Sequence, residues 1–173
     1  MMKKLFSVTV LIIALQVGAS NKAAAQKGTN YKNAVGMRID FGSDYGTYAG
    51  ISGKHFFDAR NVGEAQLLFG NNSTMINLEY QYHADMPNAA GLKWYAGIGP
   101  GFTFSKKSYH YGYYYSYYGG GGTDVLIRPT VGLDYKVNDV PLNFSFDWRP
   151  AFVVTHGTDF SAARFGLAAR YAF

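Results

Sequence analysis

Between Leu142 and Val154 every second residue is bulky and apolar: Leu142, Phe144, Phe146, Trp148, Phe152 and Val154 share one parity. Asn143, Ser145, Asp147 and Arg149 share the other. Side chains of a strand point alternately to two faces, so this segment reads as a strand with one oily and one charged face. The pattern recurs. Val125, Ile127, Val131, Leu133, Tyr135 and Val137 alternate with Asp124, Arg128, Thr130, Gly132, Asp134 and Lys136, and Val35, Met37, Ile39 and Phe41 with Gly36, Arg38, Asp40 and Gly42. Thr47–Phe57, Val62–Gly70, Thr74–His83, Leu92–Phe104 and Ser161–Phe173 complete a predicted set of eight strands, and no stretch holds helical spacing for three turns.

An alternating antiparallel set of this size closes into a barrel, and two kinds compete, because a soluble lipocalin-like barrel puts its apolar parity inside. Residue size separates them. An eight-stranded lumen is just wide enough to be filled by side chains, so the inward parity needs small residues. The polar parity carries Gly36, Gly50, Gly97, Gly99, Gly101, Gly132, Gly166 and Ser145, while Phe and Trp lie on the apolar parity. The bulky face is therefore expected outside, in lipid, with Phe57, Tyr80, Tyr82, Trp94, Tyr135, Tyr171 and Phe173 as an interfacial girdle. The short connections Asp58–Asn61 and Asn138–Pro141 predict periplasmic turns and the long Ser105–Gly122 an external loop, although Asp85–Gly91 is long for its side. Pro100, Pro129 and Pro150 fall inside strands, where a missing N–H predicts bulges or local breaks. Parity is the same on both sides of Pro150, which argues against a one-residue shift there.

The start of the chain fits export. Lys3 and Lys4 precede an apolar run from Leu5 to Val17, and Ala23-Ala24-Ala25 provides a small-residue cleavage site before Gln26. The run is shorter than the roughly 20 residues that a membrane-spanning helix requires. The predicted division is a signal peptide over 1–25 and one barrel domain over 26–173. Loss of Lys3, Lys4 and Lys22 takes the 16 basic residues to 13, against 11 acidic, so the basic balance belongs mainly to the precursor. No basic patch is interleaved with stacking aromatics, which argues against a nucleic-acid partner. With no Cys, disulfides, thiolate metal sites and a lipid-anchored amino terminus are excluded.

The last strand reads Phe165-Gly-Leu167-Ala-Ala169-Arg-Tyr171-Ala-Phe173, apolar on the parity of the terminal Phe, with Arg164 and Arg170 on the other. Tyr171 and Phe173 resemble the insertion signal of Gram-negative outer-membrane barrels. Together with the export segment, eight alternating strands and Trp148-Arg149-Pro150, the whole mature chain resembles the small outer-membrane β-barrel (porin-family) group. The resemblance implies a monomer in the outer membrane, with membrane lipid and lipopolysaccharide around it and the barrel-assembly machinery as its partner during insertion. It does not imply one activity.

Inward-parity charges form the first candidate site: Arg38, Asp40, Glu64, Glu79, Arg128, Asp134, Asp147, Arg149, Arg164 and Arg170, with Lys54, Lys93, Lys136 and Asp124. Near balance in a narrow bore predicts ion pairs that plug the barrel, in preference to a charged path for small solutes. Lys106, Lys107, Tyr109, Tyr111, Tyr113, Tyr114, Tyr115, Tyr117 and Tyr118, followed by four Gly, form the second. Tyr gives broad amphipathic contact and Gly and Ser an adaptable backbone, the composition of binding loops. The expected role is thus structural or surface-interacting, with a narrow porin-like channel as the alternative.

A lipid-modifying hydrolase is the weaker reading. Lipid A deacylases carry His-x-Ser on a late strand, and the corresponding residues here are His156-Gly157-Thr158, with Arg164 and Arg170 where an acidic partner belongs. No enzyme activity is expected. His55, His83 and His110 lack ligand spacing, so neither a metal nor another cofactor is predicted.

Overall fold

The computed structural model describes residues 31–43, 46–105, 122–155 and 159–173. Its segments are β1 (Asn33–Gly42), β2 (Tyr48–Phe56), β3 (Asn61–Phe69), β4 (Ser73–Asp85), β5 (Leu92–Ser105), β6 (Thr123–Lys136), β7 (Leu142–Trp148), β8 (Ala151–Val153), β9 (Asp159–Ser161) and β10 (Arg164–Ala172). All pairs are antiparallel. Neighbours run β5-β4-β3-β2-β1-β10-β7-β6, and β6 pairs again with β5, which closes the ring. β7 and β8 form one path across the wall and β9 and β10 another, so ten segments make the eight strands read from the alternation. The seam joins the first and last strands: β1 pairs with β10 from Ala34↔Ala172 to Gly42↔Arg164. Closure gives each strand except β9 a partner on both sides, and among the described residues β9 pairs with β8 alone.

The prolines act as their missing donors require. On the β4 side of β5, pairing stops at Asn77↔Gly101 and resumes at Tyr80↔Ile98 in the same register, so the gap is a break at Pro100 without a bulge. Pro150 separates β7 from β8, and it faces Pro129 across a stretch where residues 128–130 lack partners on that side, between Val131↔Trp148 and Ile127↔Phe152. Two residues without N–H thus share one interruption. Register towards β6 is unchanged across it, as the parity predicts. Towards the terminal strand it shifts: Phe165 pairs with Trp148 but Ser161 with Ala151, so the terminal path carries one extra residue at Ala162-Ala163.

The expected unbroken strand over Ser161–Phe173 is therefore two segments joined by a bulge, with Ser161 and Arg164, three apart, both buried. The Trp148 indole N–H donates to the Ala162 carbonyl at 2.6 Å and ties the bulge to β7.

Polarity is inverted relative to a water-soluble domain. Met37, Ile51, Leu78, Ile98, Val131, Phe144, Phe146 and Leu167 face outward, while arginines fill the interior. A continuous apolar wall of this kind is an interaction surface by its size alone. At the end holding both described termini and the turns after β2, β4 and β6, the outward aromatics Phe57, Tyr80, Tyr82, Trp94, Tyr135, Tyr171 and Phe173 make a ring of amphipathic side chains. Tyr80 donates to Asn61 (2.6 Å) and Tyr82 accepts from Arg60 (3.0 Å), so their hydroxyls meet polar turn residues while the rings stay on the apolar band.

Candidate functional site in the barrel lumen

Inward-facing side chains form layers along the axis. Tyr31, Ala34, Phe56, Val62 and Ala172 make an apolar cap at the end holding the termini, and Tyr48, Leu68 and Met75 make another at the opposite mouth. Between them lies a belt of four cations and four carboxylates. Arg38 joins Asp147 (2.6 Å) and Glu64 (3.4 Å), and Arg149 joins Asp147 through Nε and Glu79 through Nη1 (3.0 Å). Arg170 reaches Glu64 (2.6 Å), and Lys54 reaches Asp134 (2.7 Å) and Glu64 (3.8 Å). All eight side chains are withdrawn from solvent.

Neutral residues complete the belt. Tyr95 donates to Asp147 (2.6 Å), Tyr31 and Asn143 to Asp134 (2.7 and 2.9 Å), and Gln81 to Glu64 and Glu79 (2.8 and 2.9 Å). Arg170 also donates to Ser52 and Ser145 (2.7 and 2.9 Å). Among the belt's charged groups only Arg38 Nε lacks a partner in the described residues, and such dense pairing is what makes burial of charge tolerable, since each unpaired charge carries a desolvation penalty of several kcal/mol.

Glycine makes the room. Asp147 sits between Gly132 on β6 and Gly166 on β10, its register partners. A Cβ at Gly132 would lie 2.6 Å from the Asp147 Cβ, and one at Gly166 would overlap the Arg38 guanidinium. The small inward residues are thus placed where the belt needs volume, consistent with the reading that put the bulky parity outside.

Towards the mouth opposite the termini lies a second charged layer. Both oxygens of Asp40 are taken, Oδ2 by Arg128 Nη2 (2.6 Å) and Oδ1 by Arg164 Nη2 (2.7 Å). Arg164 also lies over the Tyr48 ring at 5.7 Å. The remaining inward charges stand at the rims: Lys93 pairs with the exposed Asp85 (3.1 Å), Lys136 donates to the Val137 and Val140 carbonyls, and Asp124 accepts from Thr155 (3.2 Å).

All ten lumen charges singled out from parity are buried in these two layers. Parity did not find Tyr31, Tyr48, Phe56, Val62, Leu68, Met75, Tyr95 and Leu126, which are large or apolar and face inward. For Tyr95 a signal existed, since it shares the parity of Lys93 and Gly97. His83, stacked on Tyr95 at 4.7 Å, is a lumen residue, and His55 accepts or donates at Asn33 on the outer surface; the described residues hold no group of three metal-ligating side chains.

Segment 106–121, with its lysines and tyrosines, and His156-Gly157-Thr158 lie outside the described residues. Tyr171 pairs with Val35 and Leu142, and the Phe173 carbonyl accepts from the Lys32 and Asn33 amides (3.2 and 2.8 Å). In the turn after β2, Asp58 accepts from the amides of Arg60 and Asn61 and from the Asn61 side chain, and these bonds, the Asn61 side chain first, hold its carboxyl below the usual range.

No protein-family model matches the chain, and no curated protein does. Among solved structures it is similar to the N-terminal β-barrel domain of Pseudomonas aeruginosa OprF, with a TM-score of 0.62 and 14% identity over 83% of this chain and 100% of that one. At that identity the likeness is one of fold: the chain has the closed eight-stranded antiparallel architecture of an outer-membrane barrel.

Proposed function

We propose that the chain is an integral outer-membrane barrel with a closed lumen, acting as a structural and surface-interaction protein through the Tyr/Gly-rich segment Ser105–Gly122. One observation carries the closed lumen: the belt of four cations and four carboxylates, its carboxylates accepting from Tyr, Gln and Asn and its Arg170 donating to two Ser hydroxyls, between two apolar caps. An ion crossing it would have to displace paired charges in a low-dielectric bore, which supports a plug over a pore. The outward apolar wall with its aromatic ring supports the membrane setting, and the barrel likeness agrees with it.

The amide of Ser105 donates to the Gly122 carbonyl (3.0 Å), so the ladder of β5 and β6 continues to the base of the segment, at the mouth opposite the termini. With short turns towards the periplasm, that mouth is the cell exterior. Purified barrel in planar bilayers is expected to give no steady current, and steady open currents would overturn the plug. Deletion of Tyr109–Gly121 is expected to leave the barrel folded, by heat-modifiable electrophoretic mobility, and to abolish adhesion of cells that display it. Unchanged adhesion would overturn the surface role.

A further inference from the structure

Five of the six arginines are buried in the lumen, and Arg60 stands outside, exposed in the turn after β2. Its backbone is fixed on both sides, since its amide donates to Asp58 Oδ1 (2.8 Å) and its carbonyl accepts from the His83 amide (2.7 Å). The guanidinium crosses to β4, where Nη1 donates to the Tyr82 hydroxyl (3.0 Å). Asp58 does not neutralise it. That carboxylate is folded into its own turn, Oδ1 accepting from the Arg60 and Asn61 amides and Oδ2 from the Asn61 side chain. Asp85, at the same end of the barrel, is taken by Lys93 (3.1 Å). Arg60 thus makes no ion pair among the described residues. Outside them the sequence holds one carboxylate side chain, Asp44, between β1 and β2, whose joined ends lie at the opposite mouth.

Two neutral donors adjoin this cation. The Tyr82 hydroxyl accepts from Arg60, so its own proton is left to donate elsewhere. Its ring lies 6.2 Å from the Trp94 ring, tilted by 56°, and the Trp94 indole N–H, unlike that of Trp148, has no partner among the described residues. Both rings stand on the outward wall, Tyr82 38% and Trp94 40% exposed, so a ligand meets them without displacing any part of the chain. Below them on the same face of β4 lie the exposed apolar Leu78 and Ile76. A guanidinium with free N–H groups, a phenol and an indole at the edge of an apolar wall match a ligand with an anionic, acceptor-rich head and an oily body.

We infer that Arg60, Tyr82 and Trp94 bind the phosphodiester of one anionic glycerophospholipid in the periplasmic leaflet, with its acyl chains along the outward face of β4. The inference rests on the membrane setting proposed above and names a lipid and a place for it. Charge complementarity selects the head, since the Arg60 guanidinium has only a neutral phenol as partner. The apolar wall beneath selects a lipid over a free phosphate.

Trp94 itself reports on the site. With Trp148→Phe as background it is the only tryptophan left, and the barrel is reconstituted in phosphatidylcholine vesicles containing a fixed fraction of lipid brominated high on its acyl chains. Brominated phosphatidylglycerol is expected to quench Trp94 as though enriched about fivefold over brominated phosphatidylcholine. Arg60→Gln should abolish the enrichment. Tyr82→Phe should reduce it, although every charge is kept, which general attraction to an anionic surface does not predict. Equal quenching by the two lipids, or undiminished enrichment in either variant, would overturn the site. Absence of quenching by both would mean that protein, such as a second copy of the chain, covers this face, and would overturn it too. Heat-modifiable mobility reports insertion separately: a barrel that inserts without enrichment sinks the lipid site alone, whereas one that fails to insert sinks the membrane reading and the site with it.

Discussion

Replacing Asp147 by Asn removes one charge from the belt at nearly constant volume. Asp147 receives Arg38 (2.6 Å), Arg149 and the Tyr95 hydroxyl (2.6 Å), so the change leaves four cations facing three carboxylates. Arg38 falls back on Glu64 at 3.4 Å and Arg149 on Glu79 at 3.0 Å, neither of which can take a second full charge without weakening its own bonds. Breaking a buried pair from one side costs about 3–5 kcal/mol, because the surviving charge stays desolvated. At about 1.4 kcal/mol per factor of ten, the folding constant should fall by two to three and a half powers of ten.

Reversible urea unfolding in lipid vesicles, followed by tryptophan fluorescence, measures the change as a lower midpoint at unchanged slope. Neutrality makes a second, sharper demand. Asp147→Asn combined with Arg38→Met restores three against three, so the double variant should be less destabilised than the sum of the single changes. A loss below about 1 kcal/mol, the range of an exposed ion pair, or strict additivity in the cycle, would refute the account of the belt as one charge-balanced unit.

Gly166→Val places two methyls where the Arg38 guanidinium and the Asp147 carboxylate meet, and should cost about 1–3 kcal/mol by overpacking, read by the same unfolding assay. Trp148→Phe keeps the outward ring but loses the 2.6 Å bond to the bulge carbonyl of Ala162, a loss of about 1 kcal/mol that should appear as faster amide exchange confined to Ala162–Arg164 and their neighbours on β8.

Strand number, closure and facing were legible because period-two alternation is a local property of each segment. Arg38, Asp147 and Arg170 announced the lumen through the parity they share with glycines. The pairing of these charges was not legible, since Arg38–Asp147 and Lys54–Asp134 join residues far apart in sequence, and their contact depends on the barrel's closure and stagger. The inward aromatics were missed for a related reason. Tyr31, Tyr48 and Phe56 lie near the ends of the bore, where an apolar ring can cap the lumen, whereas Tyr95 is tolerated in the middle because its hydroxyl reaches Asp147. The bulge at Ala162-Ala163 was hidden because Pro150 keeps parity within its own strand, and the extra residue lies on the neighbouring one.

A belt of this kind is a poor source of stability and a strong source of register. Well-packed apolar side chains of similar volume would stabilise an isolated core as well or better. An apolar lumen, however, would leave a strand with two oily faces, and a slip of one residue would then cost little. With Arg38, Asp147, Arg149 and Arg170 on the inner parity, the same slip turns charged side chains out towards lipid, at about 2–4 kcal/mol for each Arg near the midplane. The place where register slips among the described residues agrees with this reasoning. The shift at Ala162-Ala163 falls between Arg164, still inside, and Ser161, also inside, so the bulge resets parity without exposing a charge. Charge in the bore thus fixes which face of every strand meets the membrane.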